Sequence, residues 1–173
     1  MDITNNGTVA AEQDILMSAN RNIVNNGELT AGQNIDVNAT TKGNIYFGAS
    51  ATAERGNINV TSNEGNITSS HVDVDPEAQD VKLAALNGSV AIYTKKGDVD
   101  FHDLYAKDTV SIAADQGNIT VCSIDGDIVI LTNKEMSGQT NVKDMTVGSK
   151  LGLNGNLIKL ENIKQREGTD AML

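Results

Sequence analysis

Tryptophan is absent from the 173 residues, and Tyr46, Tyr93, Tyr105, Phe47 and Phe101 are the only aromatic side chains. A closed globular core of this length normally buries several large rings, so an ordinary compact domain is disfavoured. A single cysteine, Cys122, rules out an intramolecular disulfide. Without an evident base partner in the sequence it reads as a small inert side chain. Thirteen basic residues against 23 acidic ones give a net charge of −10. No basic cluster exceeds Lys95-Lys96, so neither a phosphate backbone nor an anionic membrane surface is an expected partner. Long apolar runs are missing, so no membrane-spanning helix is expected. Met1 is followed neither by a basic segment nor by the apolar stretch of a secretory signal. The sequence therefore reads as an internal fragment of a longer protein. The lone proline, Pro76, sits in the acidic stretch DVDPEAQD, expected to be a loop or excursion between regular elements.

What the chain does contain is repetition. Residues 2–21 read DITNNGTVAAEQDILMSANR and residues 22–41 read NIVNNGELTAGQNIDVNATT, one pattern of twenty residues written twice. Ile3/Ile23, Asn5/Asn25, Asn6/Asn26, Gly7/Gly27, Gln13/Gln33 and Ile15/Ile35 coincide. Several short apolar segments per period indicate a solenoid, in which no unit buries its apolar face alone. A looser unit, Gly-[Asn/Asp/Ser]-[Ile/Val]-x-apolar, continues at Gly43, Gly56, Gly88, Gly97, Gly117 and Gly126, with a degenerate copy at Gly65.

In each unit glycine and asparagine turn the corner. The apolar-x-apolar triplet then places two side chains on one face of a short strand. Strands rich in Ile, Val and Thr, without helical periodicity, predict an all-β parallel β-helix. Residues 1–173 are read as one domain of roughly seven coils, on the order of 35 Å long at about 4.8 Å per coil. In the first two coils Ile3/Ile23, Val9/Leu29 and Ile15/Ile35 are expected to form interior ladders. Farther on, Val81, Val90, Val99 and then Val110, Ile119, Ile128 fall in two triplets with nine-residue steps and offsets of 29. That spacing predicts coils lengthening from about 20 to about 29 residues. It would align Val81 with Val110 and Val142, Val90 with Ile119 and Leu151, and Val99 with Ile128.

The NNG-x-[Val/Leu]-x-Ala-x-Gln-[Asp/Asn]-Ile pairs, followed by many Gly-Asn-Ile-x-Val units, resemble the repeats of bacterial filamentous haemagglutinins, large exoproteins exported by two-partner secretion. LNGSVAIYTKKGDVDF and AADQGNITVCSIDGDIVI are similar to leukotoxin-type filamentous adhesins. The resemblance implies a right-handed parallel β-helix shaft, secreted or displayed on the bacterial surface. It also implies a receptor on host cells or other bacteria, and an outer-membrane secretion partner for the parent protein. The family's N-terminal secretion motifs are not found, which places the chain in the shaft region.

Residues suspected of chemistry nearly all have a place in the repeat. Paired carboxylates could cleave a polysaccharide, and Asp98, Asp100, Asp103, Asp125 and Asp127 supply them. These positions coincide with turn or outward slots that Asn, Ser and Thr fill elsewhere; Asp98, Asp127, Asn57 and Asn118 read as equivalent turn slots. His102 beside Asp103, and His71, read as solvent-facing. Asp73, Asp75, Glu77 and Asp80 offer oxygens to a hard cation but match no EF-hand spacing, and the GGxGxDxUx calcium repeat is absent. Lys96-Gly97-Asp98 has an integrin-type form that the strand-opening unit already explains. Six Asn-x-Ser/Thr sequons, at Asn6, Asn38, Asn59, Asn66, Asn87 and Asn118, arise wherever turn asparagines precede strand threonines. No catalytic residue, cofactor-binding residue or metal ligand is assigned, and no cofactor is expected. The chain is read as a structural or adhesive shaft; the alternatives are a β-helix enzyme acting on polysaccharide and a toxin segment. The pattern breaks around Pro76, at His102–Lys107 and at Asn133–Thr140, where partner contacts are expected. Exposed end coils with unpaired strand edges favour end-to-end association.

Overall fold

The computed structural model describes residues 1–70 and 80–166. Among them are seventeen strands and no helix. In chain order these are β1 (Ile3–Asn5), β2 (Val9–Ala11), β3 (Ile15–Ala19), β4 (Ile23–Asn25), β5 (Leu29–Ala31) and β6 (Ile35–Ala39). Next come β7 (Ile45–Phe47), β8 (Ala51–Ala53), β9 (Ile58–Glu64), β10 (Ile67–Ser69), β11 (Lys82–Ala85) and β12 (Val90–Lys96). The series ends with β13 (Val99–Ala106), β14 (Thr109–Ala114), β15 (Ile119–Asn133), β16 (Gln139–Asn154) and β17 (Leu157–Gln165).

Every pairing is parallel and joins one coil to the next, so the chain winds as a three-faced β-solenoid. Face A stacks Ile3, Ile23, Ile45, Ile67, Val99, Ile119, Thr140 and Ile158, which marks seven turns. Face B stacks Val9, Leu29, Ala51, Leu83, Leu104, Ile124, Met145 and Ile163. Face C stacks Ile15, Ile35, Ile58, Val90, Val110, Val129 and Leu151. The three ladders expected for the first two coils are present in the expected register.

Alternation along each strand sends these residues inward, and the interior is Ile, Val, Leu and Ala at essentially zero exposure. Phe47 and Phe101 enter the same face-A column on either side of Ser69. Their rings meet edge-on with centroids 5.7 Å apart, across the coil in which the small serine stands.

The lengthening of the coil to 29 residues does not occur. Val90 stacks on Val110 and Val129, and Val99 stacks on Ile119 and Thr140. Most steps are 18 to 23 residues. Each face has one step of 32, from Ile67 to Val99, Ala51 to Leu83 and Ile58 to Val90, and each contains the acidic stretch; apart from Asp80 that stretch lies outside the described residues. The sequence pattern misleads because some corners carry no glycine. β13 serves two faces: Val99 and Phe101 point inward on face A, Leu104 and Ala106 on face B. Two consecutive outward residues, His102 and Asp103, turn the corner between them. β15 repeats the device at Cys122-Ser123 and again at Asp127-Ile128, so it lines all three faces. Nine-residue counting stepped over these silent corners, setting Val90 against Ile119 and Val99 against Ile128 although they occupy different faces. Ile128 is outward-leaning, and its neighbour Val129 takes the interior place.

Candidate functional site

Polar side chains at the corners are used to join coils. Just before each face-A strand, a backbone N–H donates to the side-chain oxygen of the residue one coil earlier. The resulting ladder runs Asp2, Asn22, Asn44, Asn66, Asp98, Asn118 and Gln139 at 2.7–3.0 Å. A second ladder before face C runs Asp14, Asn34, Asn57, Ser89 and Thr109 at 2.9–3.3 Å. Side chains that accept from a neighbouring N–H replace the pairing a turn would otherwise lose. Asp98 and Asn118 thus share one ladder, as expected. Asn57 belongs to the other ladder, and Asp127 to neither; its carboxylate accepts from Ser149 Oγ at 2.7 Å.

The Asn-Asn-Gly signature has two separate tasks. Asn25 is fully buried; it accepts from Asn5 Nδ2 at 2.8 Å and donates to the Gly27 carbonyl at 2.7 Å. Outside, Asn26 Nδ2 donates to Asn6 Oδ1 at 3.0 Å. Gly27 lies against the Gly7 backbone, leaving no room for a side chain. Glycine carbonyls at the corner before face A also satisfy polar residues that enter the core from face C. Ser62 donates to Gly43 and Thr94 to Gly65, both at 2.9 Å, and Asn133 donates to Gly117 at 3.1 Å.

Charged groups form bridges between coils as well. Glu64 lies between Lys96, at 3.0 Å, and Lys42, at 3.4 Å. The Lys96 hydrogen bond is the main reason its carboxyl is held below the usual range. Asp115 accepts from Tyr93 at 3.0 Å and pairs with Lys134 at 2.8 Å. Lys134 chiefly depresses the Asp115 carboxyl, while burial and then Asp115 raise the Tyr93 phenol. These three residues come from three successive coils.

His102 is the most enclosed suspect, its side chain 15% exposed. Nε2 lies 3.3 Å from Asp80 and Nδ1 lies 3.2 Å from Asp103, while its backbone N–H donates to Ser69 Oγ at 2.9 Å. It is therefore not the solvent-facing residue the sequence suggested. Cys122 occupies the corresponding corner one coil farther on. Carboxylates thus lie beside both ring nitrogens, Asp80 and Asp103 flanking the imidazole.

His102–Lys107, expected to break the pattern, is instead a corner followed by the face-B half of β13. Asn133–Thr140 is a longer turn in which Asn133 accepts from the Glu135 N–H at 3.1 Å. Asp100 projects outward between Thr68 and Thr120 of neighbouring coils, and Asp125 pairs with Arg166. Five sequon asparagines are engaged in ladders or side-chain bonds: Asn6, Asn59, Asn66, Asn87 and Asn118. His71, Asp73, Asp75 and Glu77 lie outside the described residues. Among the described residues no group of three or more His, Cys, Asp or Glu could hold a metal ion.

Two open troughs run across the early coils. One, of about 550 Å³, is lined by Glu12, Gln13, Gln33, Glu54 and Arg55 among others. The other, of about 370 Å³, is bordered by Asn6, Asn26, Glu28, Ser50 and Asp80. Neither offers an aromatic ring on which a sugar could stack. Fold and side-chain chemistry together define a parallel β-solenoid protein. No family model, no curated protein and no solved structure matches the chain.

Proposed function

We infer that the chain is a shaft segment of a secreted or surface-displayed bacterial filamentous adhesin, holding or presenting contacts with host cells or other bacteria. The observation that carries this reading is the use of the polar inventory. Asp98 and the corner asparagines Asn22, Asn44, Asn66 and Asn118 are used one per coil in a ladder along the axis, while Asp100, Asp103, Asp125 and Asp127 are spread over separate positions outside it. A reactive centre would instead gather unlike groups at one place. The repeat's resemblance to filamentous haemagglutinins supports the same reading and adds the two-partner export route. A shaft needs length, stiffness and resistance to local opening, and continuous hydrogen-bonded columns supply all three. Contacts made by such a body are weak singly and gain strength from many copies on one surface.

The test compares the purified chain as a soluble protein with the same chain coated densely on beads. Bead-borne copies are expected to adhere to epithelial or bacterial cells, whereas soluble copies bind weakly. Release of reducing ends from polysaccharide by the purified chain, abolished by Asp100→Asn or Asp103→Asn, would replace the shaft with an enzyme.

A further inference from the structure

The outer surface of face A carries a third trough, of about 390 Å³, lined by Asn22, Val24, Asn44, Tyr46, Asn66 and Thr68 among others. Three strands build it. Val24 of β4 stacks on Tyr46 of β7, and Tyr46 stacks on Thr68 of β10. Asn22, Asn44 and Asn66 stand two residues earlier in the chain, so alternation puts them on the same outer side. The patch is three coils deep and two side chains wide, roughly 7 Å along the strands and roughly 10 Å along the axis. Described coils flank it on both sides, with Thr4 paired to Val24 and Asp100 to Thr68. Its walls therefore do not depend on how the chain begins or ends.

The amides are held in place by the coil itself. Asn22 Oδ1 accepts from the Asn44 N–H at 3.0 Å, Asn44 Oδ1 from the Asn66 N–H at 2.8 Å, and Asn66 Oδ1 from the Asp98 N–H at 2.9 Å. With each carbonyl fixed, each Nδ2 is a donor without a partner among the described residues. Three such donors stand at intervals of about 4.8 Å along the axis. Beside them is one half-buried aromatic ring. It leans over Gly48, where an added Cβ would come within 3.2 Å of Cε1. No lysine, arginine, aspartate or glutamate lines the trough. Arg21 and Lys42, just before Asn22 and Asn44 in the chain, are paired with Asp2 and Glu64.

A ring beside a row of fixed, uncharged donors matches a ligand with an apolar face and a rim of neutral oxygens. We propose that this trough binds a neutral saccharide, one sugar ring stacking on Tyr46 while its hydroxyls accept from the asparagine amides. Sites for small ligands combine an apolar platform with a few placed polar groups in this way. Donors already fixed by the ladder reduce the ordering cost of binding. An acidic glycan or a phosphate fits poorly, because no cation lies in the trough to receive it. An extended peptide fits poorly as well. β4, β7 and β10 are each paired on both sides, so no edge is open to a further strand. One ring and three amides make a weak site, in the millimolar range. The inference is read from three interior coils and does not rest on the shaft reading; it adds to that reading the chemical class of one contact.

Proton–nitrogen correlation spectra of the isotope-labelled chain test it. The probes are lactose, maltotriose, cellotriose and triacetylchitotriose, with a heparin tetrasaccharide as the acidic control. At least one neutral probe should saturably shift the side-chain amide signals of Asn22, Asn44 and Asn66 and the backbone signal of Tyr46. Tyr46→Ala should weaken that binding about tenfold, whereas Tyr46→Phe should retain it, because the ring and not the hydroxyl is the platform. Circular dichroism melts like the parent's verify that both variants fold. The proposal fails if no neutral probe gives saturable shifts, or if the shifts fall elsewhere on the solenoid; both are read from the parent chain alone. It fails equally if folded Tyr46→Ala binds as tightly as the parent, or if the heparin tetrasaccharide moves the same signals at lower concentration. Adhesion of coated beads reads contacts made by any surface of the chain, so the two readings fail separately.

Discussion

Phe47 and Phe101 are the chain's only phenylalanines, both fully buried, and steps of 22 and 32 residues place them two coils apart in one column. Removing one ring, as in Phe101→Ala, should cost about 3–5 kcal/mol. That is a large part of the roughly 5–15 kcal/mol by which folded domains exceed their unfolded state. The edge-on contact itself should account for about 0.5–1.5 kcal/mol beyond the buried area. A double-mutant cycle isolates it: Phe47→Leu, Phe101→Leu and the pair, each measured by urea unfolding. A coupling of about 0.5–1.5 kcal/mol is expected. Additivity within about 0.3 kcal/mol would mean that the rings do not touch, and would refute the register that sets both beside Ser69. Ser69→Leu gives an independent check, because a larger side chain in the intervening coil must displace the rings. It should cost about 1–3 kcal/mol.

Ile35→Asp places an unpaired carboxylate in a fully buried column and should cost several kcal/mol; an unchanged melting temperature would refute the twenty-residue register. Thr140 interrupts the aliphatic face-A column at 1% exposure, and its hydroxyl has no hydrogen-bond partner among the described residues. Thr140→Val should therefore stabilise by about 1 kcal/mol, read as a higher urea midpoint. Gly117 has φ of +140° and lies on the Gly97 backbone. Gly117→Ala should lower the melting temperature, an effect that its removal from the turn register would abolish. Asp115 and Glu64 have depressed carboxyl values, so their contribution is full above the ordinary carboxylate range and is lost as pH falls through the lowered values. Asp115→Asn should accordingly lose less stability than the parent between about pH 5 and about pH 3, measured by thermal melts.

The repeat itself was legible in the sequence because a solenoid writes its geometry locally. Alternation along a three-residue strand and a glycine-asparagine turn each need only neighbouring residues, so Ile3, Val9 and Ile15 could be matched with Ile23, Leu29 and Ile35 before any coordinates. Turn slots such as Asn118 were legible for the same reason. Corners without glycine were not. His102-Asp103 and Cys122-Ser123 turn the chain by pointing two successive side chains outward, a slip in phase that no residue type announces; at Gly126 the glycine was visible but the outward pair Asp127-Ile128 that follows it was not. Only the parallel register shows that Val99 and Leu104 belong to different faces of one strand, and that His102 is thereby carried between Asp80 and Asp103. The phenylalanine contact was hidden in the same way: Phe47 and Phe101 are 54 positions apart, and the number of coils between them is set by stacking. Local chemistry determines that this chain coils; which residues become neighbours is decided by how each coil settles on the last, because only stacked neighbours bury the apolar face and complete the backbone hydrogen bonds.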